Sequence, residues 1–160
     1  MRERIAAFLA AHTTLTLATV GPDGAPAAAA VFYAHDEAFN LYFLSEERTR
    51  HGQNLLANGL AAGTIQDDGQ DWRTIRGLQL RGHAFPASAG ELAHAAAVYG
   101  RKYAFVAAQL VGSGGPGELV GPLARARFWV LRPAWFRWID NTVRFGFKEE
   151  WTMEQDGFPQ

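Results

Sequence analysis

Phe39-Asn40-Leu41-Tyr42-Phe43-Leu44-Ser45-Glu46-Glu47-Arg48-Thr49-Arg50-His51-Gly52-Gln53-Asn54-Leu55-Leu56-Ala57 is the stretch from which the rest of the chain can be read. Phe39 to Leu44 has the length and aromatic content of a buried strand, and Gln53 to Ala57 is helix-forming. Between them Thr49 is a good N-cap. A helix beginning at Arg50 would aim free backbone N–H groups at one point, where the Thr49 hydroxyl, the Arg50 guanidinium and the His51 imidazole also converge. Donors of that kind suit a phosphate monoester. A capped surface helix with Arg50 and His51 in water satisfies the same local pattern, and the segment alone does not separate the two.

Working outward, the chain alternates short β-type runs with turn residues, the pattern of an antiparallel meander. Thr14 to Val20 is rich in β-branched residues and stops at Gly21-Pro22-Asp23-Gly24, where Pro sets φ and Gly accepts positive φ. Ala27 to Tyr33 is the return strand, its alanines small enough for something bulky to lie against it. His35-Asp36-Glu37 then turns the chain into Phe39 to Leu44. Beyond the helix, which ends at the C-cap pair Asn58-Gly59, Ala61 to Gln66 and Thr74 to Phe85 form a second hairpin around Asp67-Asp68-Gly69-Gln70-Asp71. Ser88 and Glu91 make a capping box that opens an alanine-rich helix ending near Gly100 to Tyr103. Val111 to Gly117 is too glycine-rich for an element; with no Lys-Ser or Lys-Thr after it, the 111–118 segment reads as a flexible loop and not as a phosphate cradle. Ala126 to Leu131 and Trp135 to Ile139 read as two further strands separated around Pro133, with Phe136 and Trp138 on one face of the second. Ile5, Phe8 and Leu9 give the first dozen residues the face of an amphipathic helix and not a secretory leader. Six or more antiparallel strands with a few helices imply closure into a small barrel, a β-rich α+β fold.

The totals narrow the function. The 160 residues suit one domain, and a formal charge of −1 offers no electrostatic case for nucleic acid or an anionic membrane. The longest uncharged apolar run, Ala25 to Ala34, falls far short of the roughly 20 residues that span a bilayer. With no cysteine there can be no thiolate chemistry or disulfide, which is compatible with a cytoplasmic setting. The five histidines are scattered without metal-ligand spacing, so no metal site is expected. None of the common hydrolase, dinucleotide or nucleotide-phosphate motifs occurs, and no catalytic residue is assigned. Asp36 and Asp140 read as turn residues.

Taken together, Tyr42-Phe43-Leu44-Ser45 leading to Thr49-Arg50-His51, then Ala62-Gly63-Thr64, Ile75 to Leu80 with Gly82, and Asp140-Asn141-Thr142 with Phe145-Gly146-Phe147-Lys148 resemble the FMN-binding split barrels related to pyridoxamine 5′-phosphate oxidase. The similarity is greatest to the YhbP-like branch. The resemblance implies a six-stranded antiparallel split β-barrel with peripheral helices, forming a homodimer with FMN in the groove between two barrels. Ser45, Thr49, Arg50 and His51 then fall where the family grips the FMN phosphate. Arg76 and Gly77 fall near the flavin ring or ribityl chain, and Trp138 of a second subunit covers the ring edge. His51 stands where many members have lysine, which would make binding weaken as pH rises above its pKa. No role follows for Asn141 or Lys148. The chain lacks the Arg-Leu-His type segment that seats pyridoxamine phosphate, so that substrate is not implied. The resemblance leaves three functions: a flavin-dependent oxidoreductase or flavin reductase taking a small molecule and NAD(P)H, a module holding flavin, F420 or haem without turnover, and a ligand-free dimer. Haem would need an axial histidine, for which His83 or His12 would have to serve.

Overall fold

The computed structural model describes residues 1–107 and 119–153. The glycine-rich 111–118 segment lies outside the described residues. Helix α1 (Arg2–Ala11) precedes the hairpin β1 (Thr14–Val20) and β2 (Pro26–His35), then β3 (Leu41–Ser45), helix α2 (Arg50–Asn58), β4 (Leu60–Gln66), β5 (Arg76–Pro86), helix α3 (Leu92–Lys102), a single helical turn α4 (Ala104–Ala107), β6 (Arg127–Asp140) and β7 (Lys148–Thr152). The strands run in the order β3-β2-β1-β4-β5-β6-β7, and β3 also pairs with β6. That last pairing, Leu41 opposite Leu131 through Ser45 opposite Arg127, closes six strands into a barrel and leaves β7 outside the ring.

β6 is a correction to the sequence reading: it is one strand of 14 residues, not two. Its first half pairs with β3 and its second half, Trp135 to Ile139, pairs with β7, while β5 follows it from Trp129 to Asp140. The handover is where Pro133, which has no N–H to give a ladder, faces Gly82 across a register shift after Arg81. A Cβ at position 82 would collide with the Arg132 backbone, so glycine is required where the strand bends. A second correction concerns Phe39, which lies in the turn and not in β3. The Asp36 carboxylate accepts from the Ala38 and Asn40 amides at 3.0 and 2.9 Å, and Phe39 adopts a positive φ of 66°.

Alternation along each strand sends one set of side chains inward. Leu15, Leu17, Tyr33, Leu41, Phe43, Ile65, Leu78, Leu80, Trp129, Leu131 and Phe136 fill the barrel, with Ile5 and Leu9 of α1 plugging one end. β3 and the first half of β6 are covered on both faces. Their outer residues Tyr42, Phe128 and Val130 pack under Ala95, Val98 and Tyr99 of α3, which explains why β3 reads as an unbroken apolar run. Among the described residues the outer faces of β1, β2 and β4 have no such cover, and Ala18, Ala28, Ala30, Phe32, Leu60 and Ala62 are exposed there.

Candidate functional site

The chain leaves β3 at Ser45 and enters α2 at Arg50, by way of a turn held together by its own side chains. Thr49 caps α2 as expected: its Oγ1 accepts from the Gly52 amide at 3.1 Å and donates to the Glu46 carbonyl at 2.8 Å. The opposing backbone presses so near that a Cβ at position 52 would stand 2.6 Å from the Glu47 carbonyl, and only glycine fits. Ser45 Oγ lies 2.6 Å from His51 Nε2 and 3.3 Å from Thr49 Oγ1. Burial pushes the His51 imidazole below the ordinary histidine range, so the ring is neutral at neutral pH. Among the described residues no backbone acceptor meets the Arg50 or His51 amide, which leaves two oriented donors beside this hydroxyl–imidazole cluster.

The structure therefore brings Ser45, Thr49 and His51 together. Arg50 diverges: its guanidinium leans away to the hairpin turn between β1 and β2, 3.4 Å from the Asp23 carboxylate. The Ala25 amide, with help from Arg50, holds the Asp23 carboxyl below its usual range, so the partner is charged. Arg50, Asp23, Arg48 and Gln53 line a depression of about 670 Å³ along the flank of α2. Both members of the pair are more than half exposed, and an exposed pair is readily exchanged for a better anion. The donor set thus fits a phosphate monoester: two helix amides, the Ser45 hydroxyl, and a guanidinium held nearby by a weak partner.

Arg76 and Gly77 are not part of this cluster within one chain. They begin β5 opposite Asp140 and Ile139, at the far end of β6 from Arg127, the residue that faces Ser45. Arg76 pairs there with Asp140 at 3.5 Å. Trp138 corrects the reading more sharply, because its ring is only 3% exposed and belongs to the barrel interior. It meets Phe8 of α1 edge to face at 4.9 Å, with the Arg4 guanidinium over it at 5.9 Å, and its Nε1 finds no acceptor among the described residues. It presents no surface to a second subunit.

Three features escaped the sequence reading. Asp23 was read as turn chemistry alone, and nothing local marks it as the partner of Arg50. Gly52 did carry a signal, since a glycine in the first turn of a short helix is a poor helix former and implies a close approach. Asn141 now has a role: its Nδ2 donates to the Trp72 carbonyl at 2.6 Å and its Oδ1 accepts from Gly146 at 3.0 Å, clasping two loops.

A six-stranded antiparallel barrel closed by the β3–β6 pairing, with a seventh strand laid on its longest member, defines the split-barrel class. This chain belongs to the pyridoxamine 5′-phosphate oxidase family, which its residues 1–137 match. Among its relatives is a UPF0306 protein of Klebsiella pneumoniae subsp. pneumoniae, 31% identical over 127 residues that cover 77% of this chain and 74% of the relative; the same group includes YhbP of Escherichia coli O157:H7. Solved structures of similar fold include a haem-binding protein from Mycobacterium smegmatis, with TM-score 0.72 and 24% identity, covering 95% of this chain and 58% of that one. Another is HutZ, the haem storage protein of Vibrio cholerae, with TM-score 0.64 and 19% identity, covering 82% and 88%. Among the described residues no helix is long and apolar enough to cross a membrane.

Proposed function

We propose that this protein is a cytoplasmic, homodimeric FMN-binding protein that anchors the flavin phosphate at the first turn of α2 and works as a flavin-dependent oxidoreductase or flavin reductase, with NAD(P)H as a reductant class. The observation that carries the reading is the gathering of Ser45, Thr49 and His51 around two helix amides with no backbone acceptor among the described residues, in a family whose members usually bind flavin. Bound flavin would supply the redox chemistry. The chain's own contribution is positional: Thr49 holds the turn, Ser45 and the Arg50 and His51 amides donate, and Arg50 leaves Asp23 to neutralise the anion. Neutral His51 makes the grip depend on hydrogen bonds more than on its charge, which moves the pH dependence expected from a histidine to the acid side of its ordinary range.

The test is a fluorescence titration of apoprotein with FMN, repeated with riboflavin, which lacks the phosphate. FMN is expected to bind and quench while riboflavin binds at least tenfold more weakly. Arg50→Ala is expected to weaken FMN far more than Arg48→Ala, whereas equal losses, or equal affinity for riboflavin, would remove the phosphate site. NADPH or NADH oxidation by the loaded protein then divides an enzyme from a carrier.

A second reading, haem binding, has support in the two haem proteins that share the fold and in the position of His83 on the wall of an apolar groove. His12 does not suit it, because Nδ1 meets the Phe8 carbonyl at 2.8 Å and Nε2 the Asp67 carboxylate at 2.9 Å. A Soret band with haemin that vanishes in His83→Ala would favour this reading.

A further inference from the structure

The depression beside α2 is far larger than one phosphate group. Arg50, Gln53, Asn54 and Ala57 line it from positions i, i+3, i+4 and i+7 of α2, a single helical face about 10 Å long at the usual rise per residue. Pro22 and Asp23 of the β1–β2 turn make the facing wall, and Arg48, just before α2, stands at the end nearer the first turn. At about 670 Å³ the trough has the size of a small-molecule site. Asn54 is its buried floor, fixed by donating to the Thr19 hydroxyl at 3.0 Å. Gln53 donates to the Glu47 carbonyl at 2.8 Å, and its Oε1 meets no donor among the described residues. A Cβ at position 21 would stand 2.5 Å from Asp23 Oδ1, so glycine there lets the carboxylate keep its place on the wall. Of the carboxylates nearby, Glu46 pairs with Arg48 and Glu47 with Arg127, and Asp23 is the one that the lining itself contributes.

We infer that this trough receives the adenylate half of a flavin dinucleotide, so that the protein binds FAD in preference to FMN. The inference rests on the phosphate anchor proposed above and specifies the ligand of that same site. The first phosphate of FAD takes the place of the FMN phosphate at the Arg50 and His51 amides. FMN ends there, whereas FAD continues through a second phosphate, a ribose and adenine, and the trough runs on for about the length of an extended nucleotide. The second phosphate lies between Arg48 and Arg50, displacing their exposed partners Glu46 and Asp23. Once Arg50 has turned to the phosphates, the Asp23 carboxylate is left facing the trough as an acceptor for the ribose hydroxyls. The same carboxylate repels any further phosphate, so this wall selects a nucleoside with a free diol. Gln53 Oε1 accepts from the adenine amine, and Pro22 and Ala57 give the base apolar contact.

Isothermal titration calorimetry of the full-length apoprotein with FAD, FMN and riboflavin tests it. Wild type is expected to bind FAD at least fivefold more tightly than FMN. Ala57→Leu fills the far end of the trough from an exposed position with a good helix former, and Arg48→Ala removes the second guanidinium. Each variant is expected to weaken FAD at least fivefold and to leave FMN within twofold of wild type, which also reports that the fold and the anchor are intact. FAD binding no tighter than FMN in wild type would overturn this inference and leave the phosphate anchor standing. A preference for FAD that survives either variant would overturn the trough as the adenylate site. FMN binding no tighter than riboflavin would remove the anchor itself, and this inference with it.

Discussion

A helix closes each end of the barrel, and the two closures work by different physics. α1 drives Ile5 and Leu9 fully into the interior, backs them with Phe8 against Trp138, and has its Leu9 carbonyl satisfied by Tyr33 and Lys102, which donate to it at 2.9 and 3.0 Å. α2 buries little that is apolar beyond Leu55. It is held by side-chain hydrogen bonds instead: Thr49 to Gly52, Asn54 to Thr19 at 3.0 Å, Asn58 to the Val20 carbonyl at 2.9 Å, and Gln53 to the Glu47 carbonyl at 2.8 Å. An apolar plug is strong and chemically silent. A hydrogen-bonded seal is weaker, yet it leaves oriented donors at its rim for a ligand to use.

If the ends differ in this way, Leu9→Ala is the most damaging change, expected to lower unfolding free energy by about 2–5 kcal/mol in urea melts, because a fully buried side chain is replaced by a cavity. Next comes Gly52→Ala, whose Cβ has no room beside Glu47; a loss of about 1–3 kcal/mol is expected, together with lost FMN uptake. Equal FMN uptake in Leu9→Ala and Gly52→Ala, at temperatures where both stay folded, would erase the functional distinction between the two ends. Thr49→Ala should cost about 1 kcal/mol through the lost cap, and Thr49→Ser should restore it.

The smallest effect expected is a pH slope. Burial lowers the His51 pKa in the folded state, so below the ordinary histidine value the unfolded chain binds the proton first. Stability is therefore complete above about pH 6.5 and falls as the solution is made more acidic, through the interval between the unfolded and folded values. The urea midpoint of wild type should drop between pH 7.5 and 5.5, and His51→Gln should flatten that part of the profile. An unchanged slope would show that His51 is as well hydrated as it would be in the unfolded chain.

Much of this was legible locally. The limits of β1, the αL C-cap at Gly59, the Thr49 cap and the shared face of Phe136 and Trp138 depend on rules spanning a few residues, and the structure agrees with them. The failures are all long-range. Pro133 looked like a strand break because a ladder normally needs its N–H, but β6 trades one partner strand for another at that residue. The family resemblance put Trp138 at an interface, and nothing in its own strand tells that α1 covers that end of the barrel. Arg50 and His51 are adjacent in sequence and looked convergent, yet they separate, one toward a buried serine and the other toward a hairpin 27 residues upstream.

Periodicity, turn chemistry and helix capping act within a few residues of each other, so this chain's linear order was enough to dictate its strands, its hairpins, the capped helix and the barrel they imply. Barrel closure acts between residues far apart in the chain. It alone set which ring went into the core, which arginine found an aspartate, and which sheet face was left bare, because those outcomes depend on which surfaces meet once the strands have joined into a ring.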